Sequence, residues 1–189
     1  MDIKNLQEFM ELIGKLKHMK RTGWVIRNVP DPETIAGHMY RMAMLSFLVD
    51  NEENLDKVKI MQMALIHDLA ECIVGDITPH CGVPPDVKHR LEDEAMDYIC
   101  KLLGDKGPVI LEMFREYERQ ESPEAMYVKD LDRLDLIMQA YEYEKRDNVP
   151  GELEEFFVAT NGKIRHPCIS RIASGINAVR DAFCRNSNH

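Results

Sequence analysis

The sequence predicts an all-α protein. Apolar residues recur at helical spacing through most of the chain, and no strand-like alternation lasts more than a few residues. Glycine and proline gather between the periodic stretches, where they mark loops.

Residues 3–19 place Ile3, Leu6, Phe9, Met10, Ile13 and Leu16 on one helical face. The stretch RTGWVIRNVPDPET, punctuated by Gly23, Pro30 and Pro32, reads as irregular. A second helix begins near Glu33 or Thr34 and carries His38, Met39, Met42, Leu45 and Val49. The third runs from about Asp56 through Val58, Met61, Ala64 and Leu65 into His67 and Asp68, and on toward Ile73. GDITPHCGVPP, residues 75–85, is too rich in Gly and Pro to be anything but a loop. Helices follow over 86–103, 108–120 and 123–146, the last opening on Ser122-Pro123, a capping residue followed by a first-turn proline. An amphipathic helix over 167–184 ends the pattern. One domain over residues 1–185, with a frayed tail at 186–189, is the expected organisation.

Composition narrows the function classes. The chain has 189 residues, 44% hydrophobic and 30% charged, an ordinary balance for a soluble globular protein. No run approaches the ~20 apolar residues that span a bilayer, so no membrane partner is expected. The first residues lack the h-region of a signal peptide, and a cytoplasmic location follows as the expectation. Five cysteines without paired spacing read as free thiols, and no C-x-x-C suggests a zinc knuckle. A net charge of -9 disfavours a nucleic-acid polymer. It leaves room for a small phosphorylated substrate in a local basic pocket, and Lys15, Lys17, Lys20 and Arg21 form the one basic cluster.

The chemistry concentrates in ALIHDLAECIVGD, residues 64–76. A helix burying Met61, Ala64 and Leu65 there presents His67, Asp68 and Glu71, with Glu71 three and four residues beyond the pair and so on the same helical face. Imidazole beside carboxylate is a chelate suited to Mn, Fe, Co, Ni or Zn. Alone, such a dipeptide is more often the polar end of a helix. His38 on the preceding helix, and Asp132 and Asp135 beside the apolar stripe Val128, Leu131, Leu134, Ile137 of a later one, offer further ligands.

The order His, His-Asp, Asp on an all-α chain resembles the HD-domain superfamily of metal-dependent phosphohydrolases. RTGWVIRNV, then ALIHDLAECIVGDITP, AMYVKDLDRLD and AYEYEKR narrow the resemblance to its 5'-deoxynucleotidase family, in the eukaryotic HD-domain-containing protein 2 group. It covers roughly residues 5–170. The resemblance implies a helical bundle and a homodimer. It puts the metal ligands on His38, His67, Asp68 and Asp132, the last in preference to Asp130 because the family pattern reads Val-Lys, two residues, Asp. It also implies Glu71 as the catalytic glutamate, Asp76 as the acid that meets water and sugar, and Trp24 as the aromatic that packs on deoxyribose. Two departures stand out. Bacterial members carry Arg directly before that Trp, where this chain has Gly23, so the candidate phosphate-binding cations are Lys20, Arg21 and Arg27. They also carry an acid before the first His, where this chain has Gly37.

The expected reaction is hydrolysis of 2'-deoxyribonucleoside 5'-monophosphates with one divalent ion of the set Mn, Co, Zn, Fe, Ni or Mg. The acidic run Glu92-Asp93-Glu94 reads first as a solvated helix face, and a second ion, Mg, near the loop bearing Asp76 is the competing reading. Action on another nucleotide (cyclic, triphosphate or guanosine polyphosphate) and a non-catalytic helical scaffold are the alternatives.

Overall fold

A computed structural model describes residues 2–49 and 54–186. Among these described residues ten α-helices run in chain order: α1 (Ile3–Lys15), α2 (Thr22–Ile26), α3 (Ile35–Leu45), α4 (Lys57–Ala64), α5 (Glu71–Val74), α6 (Pro85–Leu102), α7 (Gly107–Arg119), α8 (Pro123–Asp147), α9 (Glu154–Thr160) and α10 (Pro167–Asn186). No strand occurs among the described residues. Lys20 and Thr34 form an isolated antiparallel bridge. By chain contacts the molecule divides into two compact units, Met1–Ala125 and Met126–His189.

In the first unit, α3 packs on α4, α6 on α7, and α1 on α5 and α6. Leu12 and Leu16 meet Ile35 and Met39 of α3, Leu69, Ala70 and Cys72, and Ala95, Met96 and Ile99 of α6 in one buried cluster closed by Phe114 of α7. The turn joining α6 to α7 depends on Gly107, where a Cβ would stand 2.0 Å from the Cys100 carbonyl oxygen. Only glycine lets α7 start that close to the last turn of α6.

The irregular stretch after α1 is organised by its own ends. The N–H of Arg21 donates to the Glu33 carbonyl at 3.2 Å, that of Ile35 to the Met19 carbonyl at 3.0 Å, and that of Ala36 to the Leu16 carbonyl at 3.1 Å. These bonds close a loop over 21–33 that holds the five-residue α2, a helix too short to show a period. Thr34 then caps α3, its side chain accepting the Gly37 N–H at 3.1 Å.

The expected continuous helix over 56–73 is not formed. α4 stops at Ala64, and residues 65–70 run in tight turns. Ile66 donates to Met63, Leu69 to Ile66 and Glu71 to Asp68, each a three-residue step. Apolar Leu65, Ile66 and Leu69 continue the period by composition while the backbone has already tightened. Consequently His67, Leu69, Ala70 and Glu71 are all buried, which one face of a straight α-helix would not allow.

In the second unit α8 buries Tyr127, Val128, Leu131, Leu134 and Ile137 as a helical stripe. α9 went unmarked by the apolar pattern; its opening Glu154 and Glu155 suit the positive end of a helix. α10 continues to Asn186, two residues past the expected end, and the rest of the expected tail, 187–189, lies outside the described residues.

Candidate metal centre

The turn between α4 and α5 aims His67 and Asp68 at the imidazole of His38 on α3. Asp68 Oδ2 lies 3.2 Å from His67 Nε2 and 3.8 Å from His38 Nε2. The two rings stand edge to face with centroids 5.4 Å apart. His38 is fully buried and His67 nearly so, whereas the Asp68 side chain keeps 18% of its surface open.

The tautomer of His67 follows from its other nitrogen. Nδ1 lies 2.9 Å from the Ala64 carbonyl oxygen, which can only accept, so the proton sits on Nδ1. In the neutral ring Nε2 then presents a lone pair toward Asp68, the form a metal ion would take. Although close to that carboxylate, it makes no properly directed hydrogen bond. A buried nitrogen lone pair and a carboxylate oxygen facing the same small volume repel each other unless a cation lies between them. This donor set therefore fits a divalent ion, with the Ala64 carbonyl as the outer partner that orients the ring.

Charge is arranged around this point. Burial pushes the Asp68 carboxyl up, but without a metal ion the positive charge of protonated His67 and His38, with that of Arg21, outweighs it and holds it well below the usual carboxylate range. Arg21 Nη1 is 3.4 Å from Asp68 Oδ2, and its Nε is 3.8 Å from Glu33. Glu71 behaves oppositely. Burial, then the Asp68 and Asp76 carboxylates, push it well above the ordinary glutamate value, with Arg21 and Lys88 opposing. Its Oε2 is buried without a hydrogen-bond partner. Two carboxylates three residues apart are thus driven in opposite directions, the separation expected of an anionic ligand and a proton-handling group.

The other expected residues are distributed as follows. Gly75, at φ 81°, turns the chain after α5, and Asp76 then accepts the Thr22 N–H at 2.7 Å, tying the loop to the start of α2. Trp24 is 1% exposed, and its indole N–H donates to Glu33 at 2.9 Å. Glu33 thus links Trp24 to Arg21, and Arg21 to the metal centre. Lys20 is turned to Asp31 and to the Pro32 carbonyl, away from Asp68 and into its own loop. Arg27 ends α2 and is half-buried. Asp132 lies on α8 in the second unit, half-buried, with Lys129 Nζ 2.9 Å from its carboxylate. Sequence reasoning missed Glu33 and Lys88. Neither carries a motif signal, because each enters through pairings of distant backbone or side chains.

This geometry has recognisable relatives. A family model described as HD domain matches residues 13–171, most of the chain and parts of both units. The chain belongs to the HD-domain family. It is 48% identical to a Bos taurus protein named 5'-deoxynucleotidase HDDC2, over 95% of this chain and 87% of that one. It is 40% identical to the Schizosaccharomyces pombe 5'-deoxynucleotidase hdd1, over 93% of this chain and 90% of that one. Among solved structures, a Pyrococcus horikoshii protein superposes with TM-score 0.72 at 31% identity, covering 95% of this chain and 98% of its own. HD domains are metal-dependent, and His38, His67 and Asp68 are candidate ligands in the first unit. No described helix is long and apolar enough to cross a membrane.

Proposed function

We propose that this chain is a metal-dependent 5'-deoxynucleotidase that converts 2'-deoxyribonucleoside 5'-monophosphates into deoxynucleoside and inorganic phosphate. The observation that carries the reading is the buried turn in which His67 and Asp68 face His38 while Glu71, pushed toward its protonated form, stands beside them. Relatives 40–48% identical along most of their length are named for the same reaction.

His38, His67, Asp68 and Asp132 would hold the ion. Asp132 is preferred to its neighbour Asp130 because Asp130 is spent. Its oxygens accept from Arg133 at 2.8 Å and from the N–H groups of Arg165 and His166 at 2.7 and 2.8 Å. When bound, a divalent ion acidifies a water and polarises the phosphoryl oxygens. The protein's own side chains then divide the work. Glu71, which a cation beside it would return to the carboxylate form, takes the proton of the attacking water as the new O–P bond forms. Arg21, already beside Asp68, neutralises the non-bridging oxygens as charge builds. The P–O5' bond breaks, and the leaving alkoxide recovers a proton from Glu71 or from a water held by Asp76. Lys20 and Arg27 are weaker candidates for the phosphate, since Lys20 is committed to its loop. Trp24, buried behind the sugar subsite, acts on it through Glu33, which sets the position of Arg21. A cytosolic homodimer completes the proposal.

Phosphate release from dAMP, dGMP, dCMP, dTMP and dUMP, with Mn, Co, Zn and Mg in turn, tests it against ribonucleotide and triphosphate controls. Deoxynucleoside monophosphates should turn over fastest. Equal cleavage of AMP and dAMP would remove the selectivity assigned to Trp24, and preference for a triphosphate would replace the substrate class.

A further inference from the structure

A second group in the first unit brings imidazole and carboxylates together. His89 and Glu92 stand three residues apart on α6 and so share a face, and Glu118 approaches them from α7. One ligand atom from each lies within 4.8 Å of the other two. His89 Nδ1 is 2.9 Å from Glu118 Oε2. Two donors bound to one ion at ~2.0–2.2 Å and at right angles are about 3 Å apart, so this pair already has the spacing of neighbouring ligands. The helices that carry them pack directly on each other.

The acidic run 92–94 is divided by the fold. Glu94 faces Arg90 and Asp93 is held by Arg115, while Arg119 takes Glu112. Glu92 instead turns inward to 7% exposure, with Lys88 Nζ 3.5 Å away. Burial pushes its carboxyl up. Lys88 opposes that push, while Glu118 and Asp68 add to it. Two carboxylates and an imidazole therefore converge on one point, and the neighbouring arginines serve other acids. A dication placed there would relieve the repulsion between Glu92 and Glu118 and bind α6 to α7.

We propose that His89, Glu92 and Glu118 form a second divalent-metal site, separate from the centre at His38, His67 and Asp68. The site takes ions that accept one nitrogen with two carboxylate oxygens, Zn, Co, Ni or Mn, in preference to Mg, which favours all-oxygen ligation. His89 keeps 62% of its side chain exposed, so water fills the outer positions and the ion exchanges readily.

The test uses metal-stripped full-length protein carrying His67→Ala and Asp68→Ala, titrated calorimetrically with Zn, Co and Mg. One equivalent of Zn or Co should bind, with Mg at least about tenfold weaker. Adding His89→Ala and Glu118→Gln should weaken that equivalent by more than tenfold. Failure of the first protein to bind any Zn or Co, or binding that survives the second pair of substitutions, overturns the site. Should the first protein not fold, His89→Ala/Glu118→Gln in the otherwise native chain decides the matter. It should hold one equivalent fewer than the unsubstituted protein while still releasing phosphate from dAMP, and an unchanged stoichiometry overturns the proposal.

Discussion

Both units bury charge, and they treat it differently. In the second, Glu144 is fully buried and saturated. Its Oε1 accepts from Arg180 Nη2 at 2.8 Å and from the Leu153 N–H at 2.9 Å, and its Oε2 accepts from Arg180 Nε at 2.7 Å. Arg180 also reaches Glu154 and lies over the Phe157 ring, 3.8 Å from its centroid. Burial would lower the guanidinium's pKa, but Glu144 and Glu154 more than reverse it. In the first unit, His67 Nε2 and Glu71 Oε2 are buried with no hydrogen bond, and Asp68 and Glu71 are pushed apart in proton affinity. A saturated network ties helices together. An unsaturated one of the same residue types is poised for a ligand and a proton, and its groups are the natural place to look for function.

The sharpest way to break the contrast is to neutralise one group on each side. Asp68→Asn keeps the shape of the turn and removes the anion. The metal centre should lose its affinity, kcat/KM should fall on the order of 10³, and the melting temperature at neutral pH should drop, because the depressed Asp68 carboxyl contributes stability only while it is ionised. Metal content and phosphate release measured on one preparation would show this. A variant that retains full metal and activity would remove Asp68 from the centre.

Arg180→Met does the converse. It leaves Glu144 buried without its cation, a change that costs about 3–5 kcal/mol. Urea unfolding should show that loss, while KM for dAMP and metal stoichiometry measured below the melting range stay as they were. An activity defect larger than the unfolded fraction accounts for would give Arg180 a role beyond holding α8, α9 and α10 together.

How much of this contrast could be read from the sequence differs by residue. His67-Asp68 and Glu71 were legible as a motif, and α6, α7, α8 and α10 as apolar periods, while α9 was not. The turn that presents the motif was not, because Leu65, Ile66 and Leu69 prolong the helical pattern across a backbone that has left the α-helix. Glu33 and Lys88 were invisible for another reason. Glu33 matters only once residues 19–21 and 33–35 pair, and Lys88 only once α6 lies beside α5. Glu144 and Arg180, 36 residues apart, form their pair by the packing of helices that sequence period places but does not align.

Glu71 offers the smallest and most discriminating effect, in metal-free protein. Its carboxyl is raised above the unfolded value of about 4.3. The stabilising contribution is therefore fully present below that value and is lost as pH rises through the folded one. Glu71→Gln imitates the protonated side chain at every pH. Its melting temperature should match that of the unsubstituted protein near pH 4 and rise above it by a few degrees as pH climbs through neutrality. Asp68 slopes the other way, since its depressed carboxyl contributes stability that is lost as pH falls, but it is common to both proteins and largely cancels in the difference. A gap that stays constant with pH would mean that Glu71 is ionised and satisfied in the folded state. The first unit's buried acid would then be of the same kind as Glu144.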